Sequence, residues 1–160
     1  MTHAAKPRVY IETTILSYLA ARPNRDVVTA GRQLTTQQWW DNERGRYTLV
    51  GSTEVRDECE QGDPLVIERR RAFLTEVSLF PVDERILEIA EQLVRPGAIP
   101  KQAAPDAIHI AAANVKECSF LLTWNLRHIA NVRIRLQVER ILAKHGYSQT
   151  IICTPDQLTG

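Results

Sequence analysis

Two periods of apolar residues alternate along this chain. Short, nearly continuous apolar runs occur at residues 8–11, 47–50, 77–80, 119–123 and 150–152. They are rich in β-branched and aromatic types, which suit a pleated, buried surface, and they read as strands. Between them, apolar residues return every three or four positions, the spacing of helices.

Thr13 or Thr14 is expected to cap a helix through residues 15–19. Residues 26–42 read as helical, with Val27, Val28, Leu34 and Trp39 as core candidates. Ser52 or Thr53 would cap a short helix that stops near Gly62, and Asp63-Pro64 would open the next. Residues 83–94 place Ile86, Ile89, Ala90 and Leu93 on one helical face. Residues 105–115 are apolar nearly all round, which predicts a buried helix. A last helix is expected over 136–144. Continuous apolar strands alternating with helices predict an α/β fold, a three-layer α/β/α sandwich around a mostly parallel sheet. With no repeat and no linker, residues 1–160 read as a single domain.

Composition narrows the class. At 44% hydrophobic and 24% charged residues the chain is neither disordered nor fibrous. No apolar run reaches the ~18 to 20 residues of a membrane span. The start, residues 1–8, is polar and lacks the apolar core of a secretory signal, so a soluble cytoplasmic protein is expected. Cys59, Cys118 and Cys153 are odd in number and form no CxxC pair, which argues against disulfides and structural zinc and for buried free thiols. A formal net charge of +1 does not by itself mark a nucleic-acid binder. The 16 arginines against 4 lysines suit phosphate recognition, but genomic composition explains them equally well. Arg69-Arg70-Arg71 reads as a solvated helix face, with a phosphate patch as the alternative.

The acids carry the candidate chemistry. Ligands of open α/β sheets bind at the carboxyl ends of the strands, where the N-termini of the connecting helices also lie. Glu12 directly follows the first strand. Asp106 falls in the first turn of the buried helix, and Asn125 just after the fourth strand. Glu58, midway along the short helix after strand two, can face the same edge. Each acid has a plainer reading, as a cap, a dipole partner or surface charge. Gathered together they would repel one another, a cost that a divalent cation removes. Hard oxygen ligands favour Mg²⁺ or Mn²⁺. Such an ion polarises a phosphoryl oxygen and activates water, chemistry that hydrolyses a phosphodiester.

Four segments in order sharpen this reading. They are Val9-Tyr10-Ile11-Glu12-Thr13-Thr14-Ile15-Leu16, Asp57-Glu58-Cys59-Glu60-Gln61-Gly62, Pro105-Asp106-Ala107-Ile108-His109-Ile110-Ala111-Ala112 and Leu121-Leu122-Thr123-Trp124-Asn125-Leu126-Arg127-His128. Through almost the whole chain they resemble the motifs of the PIN-domain family, in particular its VapC-like toxin ribonucleases. The resemblance implies a parallel sheet between helices and Mg²⁺- or Mn²⁺-dependent cleavage of RNA. It also implies a type II toxin held inactive by a small antitoxin, often as a homodimer. It puts Glu12, Glu58 and Asp106 at the metal, Asn125 at the fourth catalytic position and Thr13 beside the first acid. Arg127 and His128 would be near enough to touch RNA phosphate. The family usually has Asp at the positions of Glu12 and Asn125; both departures look like a subgroup trait and favour one tightly held ion. His109, on the buried helix, reads as a hydrogen-bonded structural histidine. Trp124 reads as packing, and Trp39 and Trp40 as packing or oligomer surface.

Two other readings compete. One is a non-catalytic RNA- or protein-binding module on the same fold, motivated by those departures. The other is a flavodoxin-like phospho-acceptor domain, with Asp83 after the third strand as the acceptor.

Overall fold

A computed structural model describes residues 4–147 and 149–160. Residues 1–3, the beginning of the polar start, lie outside them. Five strands form one sheet: β1 (Arg8–Ile11), β2 (Thr48–Ser52), β3 (Ser78–Phe80), β4 (Phe120–Leu122) and β5 (Ile151–Cys153). Their order is β3-β2-β1-β4-β5, and every pairing is parallel, so the mostly parallel expectation becomes wholly parallel among the described strands.

The helices are α1 (Thr13–Ala20), α2 (Val27–Asn42), α3 (Thr53–Cys59), α4 (Pro64–Leu74), α5 (Glu84–Val94), α6 (Ala104–Val115) and α7 (Val132–Lys144). From β1 the chain steps outward twice to β3, then crosses back over β1 to β4 and β5. Right-handed crossovers taken in opposite directions place their helices on opposite faces. Helix α1 accordingly packs with α2 and α4, and α5 packs with α6 and α7. The reversal leaves a switch point between β1 and β4, where open α/β sheets bind ligands.

Local chemistry explains most boundaries. Asp63 caps α4 through the Leu65 amide at 2.8 Å, with Pro64 in the first turn. Asp83 caps α5 through the Ile86 amide at 2.9 Å, which gives the once-suspected phospho-acceptor a structural role. Ile86, Ile89, Ala90 and Leu93 are buried as their spacing predicts. Helix α6 is buried along most of its length. The three cysteines are free and buried. Helix α7 begins at Val132, four residues before the expected 136, because Asn131 caps the Arg133 and Ile134 amides. In the arginine run, Arg70 donates to the carbonyls of Cys59 and Gln61 and Arg71 pairs with Glu60, so two of the three are engaged within the chain.

Helix α2 departs from expectation. Val27, Val28 and Leu34 are exposed, at 84%, 61% and 57%, and only its second half enters the core. There Trp39 is buried, stacks on Tyr47, and donates its indole N–H to the Leu158 carbonyl at 2.9 Å. Two large anchors at the far end, Trp39 and Trp40, outweigh the apolar residues of the first turns, which stay exposed. Trp39→Phe should therefore cost about 1–3 kcal/mol, from a lost buried hydrogen bond and lost volume. Val27→Ser should stay within ~0.5 kcal/mol. Urea unfolding of both variants checks the contrast, and equal losses would contradict it.

Candidate metal centre

The β1–α1 junction turns on Glu12, which is 3% exposed. Sequence pattern assigned the capping of α1 to Thr13 or Thr14, but Glu12 is itself the cap, taking the Thr14 amide on Oε2 at 3.0 Å. Its Oε1 accepts the hydroxyls of Thr14, at 2.6 Å, and Thr123, at 2.5 Å. Those hydroxyl oxygens in turn accept the backbone N–H groups of Trp124 and Asn125, at 2.8 and 2.9 Å. With their lone pairs occupied in this way, the two threonines turn their protons to the carboxylate. One side chain thus ties the end of β1 to the end of β4.

Glu58, on α3, is the second acid. Its Oε1 accepts the Thr13 hydroxyl at 2.6 Å and the His109 Nε2–H at 2.5 Å. His109 is fully buried on α6. Its Nδ1 is hydrogen-bonded to the Tyr10 hydroxyl at 2.7 Å, and that hydroxyl to Ser52 Oγ at 2.7 Å. Ser52 sits at the cap position of α3 without a side-chain capping bond, because its hydroxyl serves Tyr10 instead. Glu12, Glu58 and His109 each offer one ligand atom within 4.8 Å of the others.

Asp106 lies outside that trio. It sits one turn before His109 on the same face of α6, and its Oδ2 is 3.0 Å from His128 Nδ1. His128 is held by its own backbone N–H on Asn125 Oδ1, at 3.0 Å. The turn from Asn125 to Ala130 is closed by further bonds to the Asn125 carbonyl. Asn125 is thus a turn former that aims His128 at Asp106. Arg127 is exposed. Trp124 is packing, as expected: its indole N–H donates to Thr36 Oγ1 at 2.7 Å and its ring meets Tyr18 edge-on.

All the expected acids therefore reach one sheet edge, although the tightest group replaces Asp106 with His109. Sequence reading treated that histidine as structural, which its two saturated nitrogens bear out, and missed its bond to Glu58. The three-residue spacing of Asp106 and His109 shows that they share a face of α6, but not which of them meets Glu58 on α3. Tyr10, Ser52 and Thr123 carried no signal that distinguished them from ordinary strand residues.

Comparison with known proteins supplies the fold's name. No protein-family model matches the sequence, and no curated protein does. Among solved structures, the Mycobacterium tuberculosis toxin VapC20, which cleaves the sarcin-ricin loop, superposes with a TM-score of 0.57 at 18% identity, over 78% of this chain and 95% of that one. VapBC2 of Rickettsia felis, solved on a DNA fragment from its promoter, gives 0.52 at 13% identity, over 92% of this chain and 98% of that one. The fold is PIN-like.

Charges at this PIN-like edge oppose one another. Burial pushes Glu12 above its ordinary value, and the charge of His109 and the threonine donors offset this only in part. Burial also pushes Glu58 up, but the hydrogen bond and charge of His109, and then Thr13, outweigh it and hold Glu58 low. Burial would lower His109, yet the Glu58 bond and the charges of Glu12, Glu58 and Asp106 raise it. A raised Glu12 and a raised His109 both bind protons more tightly in the folded chain. Their stabilisation is complete below their unfolded values and is lost as pH rises through the folded ones. The lowered Glu58 acts oppositely and only in acid, where its contribution is lost as pH falls. In EDTA, the unfolding temperature should therefore fall as pH rises from about 5 to 9. Glu12→Gln should flatten the lower part of that slope. A wild-type curve that is flat or rising would refute this account.

Proposed function

We propose that this chain, as one PIN-like domain, is a divalent-metal-dependent endoribonuclease, and that it is the toxin of a type II toxin–antitoxin pair in the cytoplasm. The observation that carries the reading is the buried Glu12 carboxylate beside Glu58 at the β1/β4 switch point. The donor set suits a hard cation. Glu58 Oε1 is taken by protein donors, whereas among the described residues no donor reaches Oε2. Burial disfavours the charged form of Glu12, and its three donors compensate for this only in part. Mg²⁺ or Mn²⁺ fits both features.

In this reading Glu12, Glu58 and Asp106 hold the ion. When bound, the ion would polarise a phosphoryl oxygen and lower the pKa of an attacking water. Thr13 fixes Glu58, and Thr14 and Thr123 fix Glu12. Asn125 fixes His128, which steadies Asp106. Arg127, exposed on the same turn, and His128 would meet RNA phosphate in this reading. VapC20, which shares the fold, is a toxin that cleaves the sarcin-ricin loop, and this supports RNA as the substrate.

A groove between α1, α2 and α4 is lined by Tyr18, Ala21, Thr29 and Val66 among others, and Val27, Val28 and Leu65 are exposed on the same helices. A groove beside exposed apolar side chains suits a small antitoxin. The VapBC2 complex supports such a partner. In the same scheme the chain forms a homodimer, and its mass in solution, measured with and without the partner, checks this. No helix among the described residues is long and apolar enough to cross a membrane.

The test is cleavage of a mixed RNA by the purified chain in Mg²⁺, Mn²⁺ or EDTA. Cleavage should vanish in EDTA, and Asp106→Asn should lower it by on the order of 10²–10³. Activity that survives both would exclude this site. A folded chain that binds RNA and never cleaves it at any metal concentration would leave the binding-module reading.

A further inference from the structure

We propose that His109 is a positioning residue for the metal centre, fixing Glu58 from behind through a buried chain that ends at Ser52. The proposal rests on the metal-dependent reading above and names the residue that sets its cation affinity. His109 is 0% exposed, so it cannot reach RNA. Both of its ring nitrogens are engaged, Nε2 by Glu58 and Nδ1 by Tyr10, which fixes the plane of the ring as well as its position. The Tyr10 ring also meets the imidazole edge-on, with centroids 5.7 Å apart. The chain Ser52–Tyr10–His109–Glu58 joins the end of β2, the middle of β1, α6 and α3.

Glu58 needs such support. Its side chain is 27% exposed and stands on a helix of seven residues. A glutamate has three rotatable bonds, and left alone it samples many rotamers. Thr13 and His109 both donate to Oε1, so the side chain is held by one oxygen, and among the described residues no donor reaches the other. The rigid ring holds its donor and acceptor at a fixed separation. A glutamine has a donor for Glu58 and an acceptor for Tyr10, but it carries them on one terminal carbon of a flexible chain, and an apolar residue would leave both Glu58 and Tyr10 short of a partner. Partners of this kind, one bond removed from the ligands, typically control metal affinity by 10–100-fold.

Mn²⁺ binding, followed by the EPR signal of the free ion without RNA, tests this directly. Tyr10→Phe removes one hydroxyl and leaves no large cavity. It should weaken Mn²⁺ binding by about tenfold, and His109→Gln by about 10–100-fold. Far-UV circular dichroism should show both folded, and RNA cleavage by both should recover as Mn²⁺ is raised. Trp39→Phe, destabilised far from the site, should bind Mn²⁺ as the wild type does. Lower unfolding temperatures with unchanged Mn²⁺ affinity in both site variants would overturn the proposal, leaving His109 a purely structural residue. Wild-type protein that binds no Mn²⁺ would overturn it as well. Wild-type protein that binds Mn²⁺, loses affinity in the variants and cleaves no RNA would uphold the positioning role while the ribonuclease reading fails.

Discussion

A carboxylate buried at the end of the central strand is the constraint on which the rest of this structure depends. Glu12 cannot be solvated where it sits, so the chain must bring donors to it. It does so with two threonine hydroxyls whose own lone pairs are filled by backbone N–H groups from the far side of the switch point. Each of those backbone groups would otherwise need another partner. The acid, the start of α1 and the exit of β4 therefore form one hydrogen-bonded unit, and loss of any member leaves buried polar groups unpaired.

The same logic extends sideways. Glu58 approaches Glu12 from α3, and two carboxylates at close range repel. The fold offsets this by backing Glu58 with His109, whose raised proton affinity follows from the three acids around it. Glu58 is thereby held in one orientation by Thr13 and His109. Stability and the proposed function draw on the same groups. The charges that make the edge suitable for a cation also make the cation-free fold sensitive to pH.

Legibility from sequence followed the length scale of each signal. Strand runs and caps are local, and they placed all five strands and the starts of α4 and α5. The topological argument, that strand ends and helix starts share an edge, brought Glu12, Asp106 and Asn125 to the same side. It could not distinguish which acids touch. Whether Glu58 meets His109 or Asp106 depends on side-chain directions across two helices, and spacing within one segment says nothing of that. Val27, Val28 and Leu34 failed for a related reason. They have the apolar character of core residues, but only the Trp39 end of α2 is closed over by the core, and Val27, Val28 and Leu34 stay exposed.

The two residues that depart from the usual family pattern fit this geometry for one reason. A carboxylate at position 12 must reach both Thr14 beside it and Thr123 on the neighbouring strand. The extra methylene of glutamate lengthens that reach while keeping the cap on the Thr14 amide. At position 125, the side-chain oxygen accepts the His128 N–H, and His128 steadies Asp106. Asparagine does this without adding a fourth negative charge beside Glu12, Glu58 and Asp106. An aspartate there could make the same turn, but it would add repulsion that a second cation would have to relieve. Glu12 and Asn125 thus act together: one extends the hydrogen-bonded unit across the switch point, and the other limits the charge that the unit must hold.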